Sequence, residues 1–157
     1  ARDNGRAIII VVNKTDLLDK DSKSEIESIL KTDPMFVGLP SCFISAKNRE
    51  GLKHLFDIIY RVLENVKKNI STNKLNKILR KAMDAKSIPF KGKFRPKIRF
   101  VHQGGKNPHV ITVHGNSLEK IEGSYKRFMV NFYQKKLELL GITIKLKFIT
   151  SKNPYKS

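Results

Sequence analysis

The stretch Ala7-Ile8-Ile9-Ile10-Val11-Val12-Asn13-Lys14-Thr15-Asp16 decides how the first half of this 157-residue chain folds. Its first six residues are apolar and mostly β-branched, with polar residues on either side. Such a run predicts a short strand buried on both faces, as in a parallel sheet. Asn13 to Asp16 then fall at the carboxyl end of that strand, where open α/β sheets bind ligands. Asp16 offers an acceptor-only carboxylate, which can take two hydrogen bonds from the N1 and N2 donors that guanine shows and adenine lacks. Asn13 tethers the loop, and the stem of Lys14 can lie across a base.

Downstream, Ser22-Lys23-Ser24-Glu25 reads as a capping box opening a helix with Ile26, Ile29 and Leu30 at helical spacing. Pro34, Gly38 and Pro40 end it, and Cys42-Phe43-Ile44 predicts a second strand. Gly51 leads into a helix with Leu52, Leu55, Phe56, Ile59, Leu63 and Val66 on one face. Strand, helix, strand, helix is half of a doubly wound α/β domain. Directly after the second strand stands Ser45-Ala46-Lys47. There the Ala46 N–H can donate to a guanine O6 and Ser45 can brace the Asp16 loop, so that adenine would leave buried polar groups unpaired. Asn13, Lys14, Asp16, Ser45, Ala46 and Lys47 are therefore the expected guanine contacts. The N-K-x-D and S-A-K segments are those of GTP-binding domains, yet no phosphate-cradling G-x-x-x-x-G-K-[ST] occurs in the sequence. Residues 1–157 alone are expected neither to bind GTP well nor to hydrolyse it.

Charge divides the chain. Residues 1–66 hold 10 Lys+Arg and 10 Asp+Glu, a net of zero, whereas residues 67–157 hold 22 and 4, a net of +18. A second unit with a polyanionic partner is expected, nucleic acid before membrane, because its charges fall on helices, strands and loops alike. The boundary is placed at Lys67-Lys68-Asn69, giving units 1–68 and 69–157. In the second, Ser71-Thr72-Asn73 opens a helix bearing Leu75, Ile78, Leu79 and Ala82. Strands follow near 97–102 and 109–114 about a turn at Gly104-Gly105-Lys106-Asn107-Pro108. A short helical turn at 117–122 precedes a long helix with Tyr125, Phe128, Met129, Phe132 and Leu140 on its apolar side, ended by Gly141. The alternation Ile142, Ile144, Leu146, Phe148 marks a last strand. The unit reads as α+β in the order α-β-β-α-α-β.

If Ile98, Phe100, Ile144 and Leu146 face the helices, then Lys97, Arg99, Lys145 and Lys147 share the other sheet face, a stripe able to follow a phosphate backbone. Lys91, Lys93 and Arg95 in the preceding loop, with Lys126 and Arg127 on the long helix, are further candidate RNA contacts. Tyr125, Phe128 and Phe132 read as core rather than as stacking platforms. The four histidines and single Cys42 lack ligand spacing, so no metal site is expected, and no catalytic triad is legible. The lone cysteine, the lack of a leader-like stretch and the longest apolar run of six residues predict a cytoplasmic protein without a membrane span. The opening Ala1-Arg2-Asp3, entering a strand within six residues, predicts a piece of a longer protein.

The run from Ala7 to Leu17, Ser45-Ala46, and a basic unit ending Lys152-Asn153-Pro154-Tyr155 together resemble the Der (EngA) family of bacterial GTPases. Ser124-Tyr125-Lys126-Arg127-Phe128 and Gly141-Ile142-Thr143-Ile144-Lys145-Leu146 are similar to that family's S-Y-R-R-Y-L and G-x-P-I-R-L segments. The resemblance implies the C-terminal half of a P-loop GTPase domain followed by a KH-like domain. It further implies GTP/GDP as ligand, Mg bound through segments not present here, and GTP hydrolysis by the intact protein. Its implied partners are the other GTPase domains of the same protein and the large ribosomal subunit with its rRNA, in whose assembly the family is implicated. Thr15 stands where the family usually has Trp, Arg49 where it has a loop glycine, and Thr143 where it has proline. The Era family also joins a GTPase to a KH domain, but an ordinary KH clamp needs G-x-x-G, and the corresponding Lys120-Ile121-Glu122-Gly123-Ser124 has one glycine.

Overall fold

A computed structural model describes residues 6–89, 96–106 and 108–151. It is mixed α/β and divides into two compact units, Ala1–Lys67 with Leu139–Ile142, and Lys68–Glu138 with Thr143–Ser157.

In the first unit β1 (Ile10–Val12) and β2 (Ser41–Phe43) pair in parallel, Val11 opposite Cys42. The connection runs through α1 (Lys20–Thr32), and α2 (Leu52–Lys67) follows β2. Cys42, Ile44, Ile58 and Val62 form the buried core, with Ile9, Leu52, Leu55, Val66 and Leu140 packed against it. β1 begins at Ile10, because the Ile8 N–H donates to the Gly141 carbonyl (2.8 Å) instead of entering the ladder. Val11 is 42% exposed, since among the described residues β1 has one strand neighbour and not two. The cap of α1 is Asp19, not Ser22: its carboxylate accepts from the Ser22 N–H at 2.8 Å, and this bond holds the Asp19 pKa below the usual carboxylate range. On α2 the core stripe runs through Ile58 and Val62, while Phe56 and Leu63, expected inside, are 65% and 49% exposed.

The second unit runs α3 (Thr72–Ala85), β3 (Lys97–Lys106), β4 (His109–Asn116), a 3-10 turn (Leu118–Lys120), α4 (Gly123–Leu137) and β5 (Lys145–Thr150). Ser71 caps α3 by accepting from the Lys74 N–H (3.3 Å), and Leu75, Ile78, Leu79 and Ala82 are buried as their spacing predicts. The sheet order is β3-β4-β5, with β4 antiparallel to β3 and parallel to β5. β3 extends to Lys106, so Gly104 and Gly105 lie in the strand rather than in the turn, at an irregularity of register between Gln103 and Gly105. α4 stops at Leu137 with Glu138 in the left-handed region, so Leu140 is not on the helix but belongs to the first unit's core. The buried stripe of α4 is Tyr125, Met129, Tyr133 and Leu137, with Phe128 and Phe132 half-buried at its edge.

The pairing passes from Ile98↔Gly115 to Phe100↔His114, leaving Arg99 as the extra residue of a bulge. A bulge re-aims the side chains beyond it. Val101, fully buried, takes the inward position, and Phe100, expected against the helices, is turned outward at 47% exposure.

Candidate functional site

The two segments at the ends of β1 and β2 meet. Lys14 adopts φ 62°, ψ 37°, a left-handed turn that sends the chain into a 3-10 turn at Thr15–Leu17. Asn13 Oδ1 accepts from the Lys14 N–H (2.7 Å) and from the Ala46 N–H (3.2 Å), and the Thr15 N–H donates to the Ile44 carbonyl at 3.1 Å. The Ser45 hydroxyl, fully buried, donates to Asp16 Oδ1 at 2.6 Å and accepts from the Asn48 N–H at 3.2 Å. Ser45 and Glu50 exchange both backbone hydrogen bonds at 3.1 Å, which closes the loop after β2. Gly51 (φ +73°) ends this loop where a Cβ would collide with the Phe43 carbonyl.

Five of the six expected guanine contacts are thus drawn together by these bonds; Lys47, like Lys14, is exposed. Asp16 Oδ2 has no hydrogen-bond partner among the described residues, so an acceptor remains for a donor pair such as that of guanine. Asn13 ties the loops as expected, but it does so by engaging the Ala46 N–H that the sequence assigned to a ligand oxygen. The edge formed by these loops therefore offers Asp16 Oδ2 as an acceptor, while the Ala46 N–H is held by Asn13.

In the second unit the candidate cations separate. Lys91, Lys93 and Arg95 lie outside the described residues. Lys97 is paired opposite Asn116, Lys145 opposite Val110 and Lys147 opposite Thr112. These β4 partners alternate with the fully buried Ile111 and Val113, so the three lysines stand on the sheet face away from the core. Arg99 is exposed at the bulge. Lys126 instead lies over the Phe148 ring, 5.2 Å from its centroid. Phe148 pairs with Val113, so Lys126 belongs to the helix-covered side, and Arg127 follows it on α4. The basic residues do not form one track.

What sequence reasoning missed is the set of rings on the lysine face. Phe100 and His114 are near-parallel with centroids 4.6 Å apart, and His102 and His114 are 5.0 Å apart. The signal was the placement of His102 and His114 each one residue after an inward valine, Val101 and Val113, on adjacent strands. It was hidden because the bulge at Arg99 shifts the alternation of β3.

Comparison with known proteins follows the same division. The family described as "KH-domain-like of EngA bacterial GTPase enzymes, C-terminal" matches residues 69–148. GTPase Der of Acidovorax ebreus (strain TPSY) is 38% identical over 98% of this chain and 34% of its own length, and GTPase Der of Thioalkalivibrio sulfidiphilus is 40% identical over 98% and 33%. A crystal structure of an Aquifex aeolicus Era variant bound to GDP·AlF4− is similar over 91% of this chain and 56% of its own, at 18% identity and a TM-score of 0.27. The chain spans about a third of the length of the Der relatives that it matches. With a C-terminal KH-like match over its basic unit and Der relatives that align with 98% of its residues, the chain belongs to the Der (EngA) family of GTPases.

Proposed function

We propose that this chain serves as part of a cytoplasmic GTP-binding GTPase of ribosome biogenesis, in which the first unit recognises guanine and the basic unit docks on rRNA of the large ribosomal subunit. The observation that carries the reading is the 2.6 Å bond from Ser45 to Asp16, which joins the N-K-x-D and S-A-K segments into one acceptor-bearing edge. Asn13, Lys14, Asp16, Ser45, Ala46 and Lys47 would hold the base. When bound, GTP supplies the γ-phosphate for hydrolysis, and the phosphate and Mg contacts fall to parts of the full-length protein outside residues 1–157. Support for the RNA reading comes from the +18 net charge confined to residues 67–157. The remaining GTPase domains of the same protein are the second expected partner of this unit.

The test uses the full-length protein. Asp16→Asn replaces a double acceptor by a group that also donates, so nucleotide preference should move from GTP toward xanthosine triphosphate. Unchanged preference would overturn the assignment of Asp16. For the basic unit, rRNA binding by the full-length protein should weaken steeply with rising salt.

A further inference from the structure

We propose that the lysine-bearing face of the β3-β4-β5 sheet binds single-stranded RNA, with the Phe100, His102 and His114 rings as a platform for unpaired bases and Lys97, Lys145 and Lys147 as phosphate contacts. The inference rests on the reading of the basic unit as an RNA-docking module and says where and how it reads the strand.

Strand register builds the face. One row across the sheet is Phe100, His114, Ile149, and the next is His102, Thr112, Lys147. Phe100 and His102 flank His114, their ring planes within 28° of one another and their centroids 6.4 Å apart. Phe100, at 47% exposure, is the outermost. The Nε2 of His114 is buried with no hydrogen-bond partner among the described residues, so this ring is held by its neighbours' faces rather than by polar contacts. A strand with unbroken alternation would bury Phe100 with Ile98, whereas the bulge at Arg99 gives the core Val101 and turns an aromatic face outward.

Chemistry selects the occupant. The three strands carry Lys97, Arg99, Lys106, Lys145 and Lys147 and no acidic residue, so the face complements a polyanion. An exposed ring beside lysines offers a base a surface to stack on while its phosphates are neutralised. Only an unstacked base can use it, because duplex RNA shows a protein its backbone and a shallow groove. This places recognition on the sheet, away from the Gly123 loop.

The experiment uses the full-length protein with a labelled single-stranded RNA of mixed sequence, and the duplex of the same RNA with its complement, each titrated at two salt concentrations. We expect the single strand to bind tighter. Phe100→Ala should weaken it by roughly 5- to 100-fold while leaving the duplex unchanged, and Phe100→Tyr, which keeps the ring, should bind as the parent does. Lys145→Gln with Lys147→Gln should weaken both RNAs and lower the salt dependence. Because Phe100 is exposed, its removal leaves the core intact, and an unchanged melting temperature checks this. Equal binding of both RNAs with no effect of Phe100→Ala would overturn the stacking platform and leave the RNA-docking reading standing. No binding of either RNA would overturn both.

Discussion

Ser45 donates its hydroxyl proton to Asp16 across 2.6 Å, linking residues 29 apart in sequence at the ends of the two parallel strands. Ser45 is fully buried while Asp16 is exposed, so a shielded donor fixes one carboxylate oxygen and leaves the other without a hydrogen-bond partner among the described residues. Removing the donor by Ser45→Ala also orphans the Asn48 N–H. A hydrogen bond to a charged group contributes about 1.5–3 kcal/mol, and the exposure of Asp16 favours the lower end. Guanine-nucleotide affinity of the full-length protein should fall roughly tenfold. Isothermal titration with GDP checks this, and unaltered affinity would show that Ser45 does not position the carboxylate.

Arg49 sits at φ 60° in the loop between Ser45 and Glu50. Left-handed backbone costs a side-chain-bearing residue about 1–2 kcal/mol, against about 0.5–1 kcal/mol for the extra freedom of an unfolded glycine. Arg49→Gly should therefore stabilise the first unit, by about 0.5–1 kcal/mol. A higher urea midpoint is the expected reading, and a lower one would mean that the arginine side chain contributes more than its backbone strain costs.

The fold was most legible where local chemistry and tertiary packing agree. On α3 the cap Ser71 and the stripe Leu75, Ile78, Leu79, Ala82 needed only periodicity. Asn13 through Asp16 and Ser45 through Lys47 were legible because their spacing after apolar strands is local. Phe56 and Leu63 misled because an amphipathic stripe shows which residues are apolar, not how much of that face this unit covers. Phe100 misled because one inserted residue, Arg99, reverses the face assignments from Phe100 to Gln103, up to the second irregularity of register before Gly105. Leu140 misled because the left-handed Glu138 ends α4 without a glycine, and Gly141 serves instead to let the chain pass close to Ile8.

The outer edge of β3 is closed by a side chain. Asn76 on α3 accepts from the Val101 N–H at 3.1 Å and donates to the Val101 carbonyl at 2.8 Å, as a neighbouring strand would. Val101 is fully buried, so losing these partners leaves two backbone groups unpaired away from water. Asn76→Ala should cost about 2–4 kcal/mol, taking about 1–3 kcal/mol per orphaned group and allowing for partial hydration. The loss should appear in urea unfolding monitored by far-ultraviolet circular dichroism. A cost below about 0.5 kcal/mol, the range of ordinary surface changes, would show that the edge is satisfied by other means.

Tyr133 reports on the same unit at high pH. Its hydroxyl donates to the Leu75 carbonyl at 3.0 Å, and that of Tyr125 donates to the Lys86 carbonyl at 3.0 Å. Both side chains are fully buried, and burial pushes both phenols above their ordinary value, Tyr133 further than Tyr125. Below a pH of about 10 both are protonated whether the chain is folded or not, so they leave stability independent of pH. Above about 10 the unfolded chain releases these protons and the folded one keeps them, so the unfolded state binds fewer protons and stability falls as pH rises toward the folded values. Of the four tyrosines in the sequence, Tyr133 and Tyr125 should therefore gain tyrosinate absorbance late, together with loss of helical dichroism. In Tyr133→Phe the hydrogen bond to Leu75 is lost, lowering stability at neutral pH by about 1 kcal/mol, while the alkaline decline becomes shallower because one titrating group is gone. Ionisation of all four tyrosines in a single early step, with dichroism intact, would contradict the buried placement of Tyr133 against α3.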